Sequence, residues 1–399
     1  MRLDFAQSPR SSVGLEWELQ LVDRESHDLR QTAQTILAEV EAAHPGNGLV
    51  HKEMLLNTVE LTSRPRERVS QCISDIEEAA ALVRPVTDQL HIELTSAGSH
   101  PFADPTYQQV TDSQRYRELV ARTQYWGQQM LLFGTHVHVG VEDRDKLLPL
   151  LSYVATKLGH IQALFASSPY WGGVDTGYCD NRAMVFQQLP TAGQPRQFDR
   201  WEDLEGFSTD MLKTGVISSF DEVRWDIRPS PKFGTLEVRV ADASTNTKEV
   251  RALAGLVQSL VETGSRILDS GCELPSQPEW FVAENKWRAA RYGMDAILIE
   301  NRAGDEETLR DTLPGWLDEL MPAAEDLGCA EDVAWIADLA RLGVGYQRQR
   351  AVYAKAGSLE AVVEFMQAET KADRPLDPGT FVAQARGVHV PRRHDSPKR

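Results

Sequence analysis

Glu16 and Glu18 are separated by a single residue in Val13-Gly14-Leu15-Glu16-Trp17-Glu18-Leu19-Gln20-Leu21, and His136 and His138 likewise in Thr135-His136-Val137-His138-Val139-Gly140-Val141. Trp225-Asp226-Ile227-Arg228 and Leu236-Glu237-Val238-Arg239-Val240 interleave acids and arginines with apolar residues in the same rhythm. Strand side chains alternate between faces, so each segment, if extended, buries its apolar row and holds its polar row in a common plane. Carboxylates, imidazoles and guanidiniums gathered on one sheet face suit a site for metal ions and phosphate.

The spacings define what each group could do. Two residues along a strand put Glu16 and Glu18 roughly 7 Å apart, close enough to repel unless a cation lies between them or one is protonated. Hard divalent ions take oxygen ligands, and Mg²⁺ in particular is held by a few carboxylates together with substrate phosphates. A solvated strand face would show the same pair of acids. Glu53 and Glu60 add two more carboxylates, but their odd separation would turn them to opposite faces of one regular strand. For both to serve one site, a bulge or turn must lie between them, or Glu53 must precede the strand. The His136/His138 pair is suited to metal ligation or to donating hydrogen bonds to phosphate, and by itself fits a hydrolytic zinc site as well as a nucleotide–magnesium site. In the segment 225–239, Arg228, Lys232 and Arg239 are available to anions and Glu237 to a metal, although a hairpin with cross-strand ion pairs would look the same. No GxxxxGK[ST] loop, GxGxxG fingerprint or GxSxG elbow occurs, so bound nucleotide phosphates would have to be met by metal ions and side-chain cations.

These residues need elements to hold them. Val13–Asp23 reads as a strand, 32–43 as a helix, and 53–62 as extended chain ending at Ser63-Arg64-Pro65. Val69, Ile73, Ile76, Ala80, Val83 and Val86 recur at helical spacing, with Pro85 placed to kink or end the helix. A strand over 90–97, a helix over 113–130, the His-x-His strand and a helix carrying Leu147 to Phe165 follow. Residues 167–215 are dominated by loop signals, a length usually reserved for function. Strands near 223–228 and 235–241 lead into a helix over 247–268 opened by the capping-box pattern Asn246-x-x-Glu249. From about 280 the pattern is helical, punctuated near 304, 314 and 343–345, and the polar, basic segment 386–399 reads as a disordered tail. Strands with one polar face, separated by helices, predict an α+β fold: an antiparallel β-sheet presenting an open active-site surface, with helices packed on its other face. Residues 1–385 are expected to form one catalytic domain, with 301–385 mostly helical.

Bulk properties narrow the function. The net charge of −17 argues against a nucleic-acid partner, and any anionic substrate must be met by a local cationic feature. With 41% hydrophobic and 25% charged residues, the chain has the composition of an ordinary globular protein. Its four cysteines lack CxxC spacing, the N-terminus lacks the apolar run of a signal peptide, and no run of about 18 apolar residues predicts a membrane span. The cytoplasm is therefore the expected compartment, with no membrane partner.

At these residues the chain resembles the carboxylate–amine ligase family, the type 2 glutamate–cysteine ligases of the glutamine-synthetase-like superfamily. The resemblance runs through Gly14–Leu19, Gly134–Gly140, Ser167–Trp171, Asp175–Tyr178, Lys213–Ile217, Trp225–Arg239 and Glu284–Gly293, seven blocks in family order covering about residues 12–300. It implies a glutamine-synthetase-like catalytic domain that binds ATP and magnesium at one end of the sheet and glutamate at the other. The implied reaction activates the glutamate γ-carboxylate as an acyl phosphate, which an amine such as L-cysteine attacks to give γ-glutamylcysteine or a related amide, as in glutathione biosynthesis. Carried onto matching positions, Glu16, Glu18, Glu53, Glu60, His136 and Glu237 become ligands of two or three Mg²⁺ ions, with Mn²⁺ as an alternative. His138 would contact nucleotide phosphate, Arg239 would stabilise the transferring phosphoryl group, and Arg228 would hold a substrate carboxylate or phosphate. Asp175, Tyr178, Arg182 and Lys213 would line the acceptor or nucleotide pocket. The resemblance leaves the acceptor amine and any homo-oligomeric assembly open.

Two other readings compete with an ATP-dependent ligase. A metal-dependent hydrolase could use His136, His138 and the carboxylates, but a water-activating zinc site has little use for Arg228 and Arg239. A non-catalytic glutamate- or nucleotide-binding relative would have no need to keep every candidate metal ligand.

Overall fold

The computed structural model describes residues 2–387, so the segment expected to be a disordered tail lies, from residue 388 onward, outside the described residues. Seven antiparallel strands form the main sheet: β1 (Val13–Asp23), β2 (Val50–Lys52), β3 (Thr58–Thr62), β4 (Ile92–Thr95), β5 (Thr135–Gly140), β6 (Ile227–Ser230) and β7 (Thr235–Val238). Their order is β6-β7-β5-β1-β3-β2, with β4 also on β1. One edge of β1 pairs with β3; the other is shared, by β5 along Val13–Trp17 and by β4 along Gln20–Asp23. An eleven-residue strand can do this because Leu15, Trp17, Leu19 and Leu21 bury one face along most of its length, each no more than 2% exposed.

Register carries the polar rows across the sheet. Glu16 lies opposite His136 on one side and Thr62 on the other, Glu18 lies opposite Glu60, and His138 lies opposite Glu237, which in turn faces Arg228. Direct cross-strand partners share a face, so five strands bring their chemistry to one surface. Slipping any strand by one residue would exchange this row for the apolar one.

The opposite face is covered by helices Val69–Gln89, Arg144–Thr156 and Thr247–Asp269. The last begins where Asn246 Oδ1 accepts the Glu249 amide at 3.1 Å, and it is sandwiched between the sheet and helices Leu309–Leu327 and Ala330–Leu342. Burial follows that position: Leu253, Leu256, Val257 and Leu260 are fully enclosed, each contributing about 1.5–3 kcal/mol. Truncating Leu256 to alanine would cost about 2–5 kcal/mol. Farther along, Arg348 is 2% exposed and donates to Glu369 Oε1 at 2.7 Å and to Glu249 Oε1 at 2.5 Å. This ion pair ties the C-terminal helices to the central one.

The α+β architecture with an antiparallel sheet and helices on its apolar side is as expected; several boundaries differ. Glu53 stands in the turn between β2 and β3, so it precedes the strand that carries Glu60 and the parity conflict disappears. The segment 113–130 is two helices, Gln114–Thr123 and Tyr125–Gln128, broken at Gln124 by a φ of 50°. The helix through 147–165 is also two pieces, Arg144–Thr156 and Leu158–Leu164. Pro85 does not end its helix, which runs to Gln89, and Pro314 lies inside Leu309–Leu327 instead of separating pieces. Within the loop-rich 167–215, a helix at Trp201–Lys213 was signalled by Trp201, Leu204, Ser208 and Met211 on one buried side. A short hairpin, Ile297–Ile299 with Glu306–Thr308, interrupts the helical C-terminal part.

Candidate active site

The polar rows condense into three overlapping groups whose potential ligand atoms lie within 4.8 Å of one another: Glu18 with Glu53 and Glu60, Glu16 with Glu60 and His136, and Glu16 with His138 and Glu237. Glu16 and Glu60 each belong to two groups. His136 Nδ1 lies 2.9 Å from Glu16 Oε2, and His138 Nε2 lies 3.3 Å from Glu16 Oε1. Glu237 is wholly buried and accepts from Arg228 Nε at 2.6 Å and from Arg239 on its other oxygen.

The two ends of this band are electrostatically opposed. Burial and the neighbouring Glu53 charge push Glu18 up to about 8. Burial also raises Glu53, and with the charges of Glu53, Glu16 and Glu18 it holds Glu60 well above the usual range. These three acids crowd together without a compensating cation among the described residues beyond the more distant arginines. Burial would raise Glu16 too, yet hydrogen bonds from His136 and His138 hold it well below its ordinary value. Glu237 is likewise kept low against burial by Arg239, His138 and Arg228. Burial and Arg239 lower His136 to about 4, leaving a neutral imidazole able to act as a ligand, while Glu237 and Glu16 raise His138 against its burial. Five carboxylates and two imidazoles offer hard oxygen and nitrogen donors, a set that fits magnesium or manganese and relieves the acid crowding.

Arg182 backs the band from the short helix Asn181–Phe186, whose N-cap Asp180 accepts the Ala183 amide at 2.8 Å. Its guanidinium donates to the Arg239 carbonyl at 3.1 Å and reaches within 3.4 Å of His136 Nε2. That approach needs a glycine at 134: a Cβ there would sit 2.2 Å from Arg182 Nη2 and 2.8 Å from His136 Nε2. The same glycine donates its amide to Glu18.

Two cavities flank the acids, and Glu16 and Glu60 line both. One, of about 300 Å³, is walled by Arg115, Arg182, Arg224, Arg228 and Arg239 together with the acids and His136. The other, of about 370 Å³, is walled by Ser12, Gly14, Pro65, His138 and Phe233, the last an exposed ring. Arg115, Tyr116, Asp221 and Arg224 escaped the sequence reading, because a lone arginine on a polar helix or beside a short strand carries no pattern. Three expected residues are not brought to either wall. The Asp175 carboxylate pairs with Arg350 at 2.6 Å, the Tyr178 carbonyl accepts from the same guanidinium at 2.9 Å, and Lys213 is exposed at the end of its helix. Among the described residues no helix is long and apolar enough to cross a membrane.

Comparison with known proteins agrees with this geometry. The family model described as glutamate–cysteine ligase family 2 matches residues 12–365. The chain is 48% identical over 370 residues to a protein of Arthrobacter sp. (strain FB24) named "Putative glutamate--cysteine ligase 2-1", covering 91% of this chain and 97% of the relative. It is 47% identical over 369 residues to "Putative glutamate--cysteine ligase 2" of Mycobacterium ulcerans (strain Agy99), covering 92% and 93%. In fold it is similar to the glutamate–cysteine ligase of Francisella tularensis solved with AMP, with a TM-score of 0.69, 13% identity and coverage of 96% and 93%. It also resembles the ligase PafA solved with the prokaryotic ubiquitin-like protein Pup, with a TM-score of 0.52, 13% identity and coverage of 94% and 75%. The chain thus shares its fold with these two ligases, and it belongs to glutamate–cysteine ligase family 2.

Proposed function

We propose that this protein is an ATP-dependent carboxylate–amine ligase that joins the γ-carboxylate of L-glutamate to an amine, with L-cysteine the leading acceptor. One observation carries the reading: three acid and imidazole groups on one sheet face, bordered by guanidiniums and by a cavity on either side. Glu16, Glu18, Glu53, Glu60, His136 and Glu237 would hold magnesium or manganese, which would neutralise the triphosphate. The cavity beside Phe233 and Pro65 suits a purine ring, and His138, between it and the acids, can donate to phosphate or complete the group with Glu16 and Glu237. The arginine-walled cavity suits the amino-acid substrate.

In the first step an oxygen of the γ-carboxylate attacks the γ-phosphorus of ATP, the bond to the β–γ bridging oxygen breaks, and ADP leaves with that electron pair. Arg239 and Arg228, held by Glu237, present fixed positive charge where negative charge is transferred. In the second step the amine attacks the acyl carbon, phosphate departs, and the amine loses a proton. No protein nucleophile is required. The buried thiols of Cys72, Cys179 and Cys329, none in a disulfide, support a reducing compartment such as the cytoplasm.

The test is ADP formation by the purified chain with magnesium, ATP and L-glutamate, screened over amino acids and simple amines. Release of ADP that requires both glutamate and an amine, with the amide as product, is expected. Nucleotide-independent hydrolysis stimulated by zinc, or no turnover with any amine, would overturn the assignment.

A further inference from the structure

Five guanidiniums line the arginine-walled cavity, but only three are committed. Arg228 and Arg239 are paired with Glu237, and Arg182 is spent on the carbonyls of Arg239 and Val240. Arg224 is half-buried and its bond is to a backbone carbonyl, that of Glu222, at 2.9 Å; the Glu222 carboxylate is itself turned to Ser218. Arg115 makes no ion pair or hydrogen bond among the described residues and stands on the helix Gln114–Thr123, none of whose residues is buried. Burial, then repulsion from Arg115, holds Arg224 down at about 10, so the two charges feel each other. Glu222 attracts both guanidiniums but forms an ion pair with neither, so two like charges brought together over a cavity leave a place for an anion.

The third group is Asp221. The residue lines the cavity and is exposed; its carbonyl accepts from Arg228 Nη1 at 3.0 Å, while its carboxylate has no partner among the described residues. Two guanidiniums that pair with no carboxylate and one acid that pairs with no cation, on the same wall, match a molecule bearing both a carboxylate and an ammonium. Met54, Leu119, Met130 and Leu189 add apolar surface to the same cavity, which favours charge pairing over full hydration.

We infer that Arg224 and Arg115 bind the free carboxylate, and Asp221 the ammonium, of an α-amino acid whose head group takes no part in phosphoryl transfer. This rests on the ligase reading and adds to it the residues that select an amino acid over a simple acid or amine. The zwitterion could belong to the acyl donor or to the acceptor, and matched analogues separate these sources. γ-Aminobutyrate is glutamate without its α-carboxylate, glutarate is glutamate without its amine, and cysteamine is cysteine without its carboxylate.

The experiment measures binding and turnover on the full chain with magnesium. By calorimetry, Arg224→Ala and Arg115→Ala are expected to weaken L-glutamate or L-cysteine about ten- to a hundredfold, the range for charge-assisted hydrogen bonds. Neither substitution should change the binding of the analogue lacking that carboxylate, and Arg224→Lys should recover part of the loss. Asp221→Asn should weaken glutamate but not glutarate if the donor is held. Loss confined to glutamate assigns the site to the donor, and loss confined to cysteine assigns it to the acceptor. If both arginine variants bind glutamate and cysteine as the wild type does, the inference falls, whatever the turnover. If binding depends on Arg224 but no amine yields ADP, the ligase reading falls and the amino-acid site stands.

Discussion

Glu18 and Glu60 face each other directly across adjacent antiparallel strands, two acids in a position where sheets ordinarily place opposite charges or apolar contacts. With Glu53 within ligand distance of both, the arrangement is costly in the metal-free chain.

Divalent cations should therefore stabilise the protein. Magnesium or manganese at about a hundred times its dissociation constant contributes about 2.7 kcal/mol, raising Tm by a few degrees. Glu60→Gln should raise the Tm of the metal-free protein while shrinking the metal-induced shift. Scanning fluorimetry with and without EDTA reads both effects, and identical curves in the two conditions would remove the case for a cation site.

Glu237→Gln removes the counter-charge between Arg228 and Arg239. Turnover should fall by at least about a hundredfold. The far-ultraviolet circular dichroism should be retained, with a lower Tm, because breaking a buried ion pair costs about 3–5 kcal/mol, less where the partners reach solvent. Full activity in this variant would refute its role.

Gly134→Ala tests the packing behind the band. The added methyl must displace Arg182 or His136, so metal affinity and turnover should drop about tenfold or more with little change in fold. Unchanged manganese affinity would show that Arg182 gives way harmlessly.

His100 supplies a pH dependence away from the acids. Its Nδ1 accepts the Ala103 amide at 3.0 Å, its Nε2 lies 3.0 Å from the His27 carbonyl, and burial lowers it to about 4 from 6.5. The unfolded chain takes up this proton as pH falls below 6.5 while the folded chain does not. The contribution is thus complete above 6.5, and about 3 kcal/mol is lost by pH 4. Urea titrations at pH 7 and 5 should show a smaller acid loss in His100→Gln than in the wild type.

Much of the sheet could be read from alternation alone, since β1 and β5 keep a strict period of two in sequence, apolar residues alternating with polar ones through Glu16, Glu18, His136 and His138. Glu53 could not be placed that way because a turn of five residues separates β2 from β3, and turns erase parity. The resemblance brought Glu53 to the acids, and the turn explains how. Arg115 and Arg224 were invisible for a different reason: their importance lies in what they fail to pair with, a property of three dimensions. Asp175 and Tyr178 show the converse, because a matching sequence block is also what a loop needs when Arg350, far along the chain, must be held. Pro85 and Pro314 mislead because a helix packed against neighbours tolerates the lost hydrogen bond that would end an isolated one.

Because Glu16 and Glu60 each serve two of the three groups, the positions along the band are not independent compartments. An ion seated in the middle group would fix a rotamer of both shared acids and so prepare or deny the positions on either side. Loading should then follow an order, with a steepness that no single affinity describes, and a substitution at either shared acid should disturb two occupancies at once.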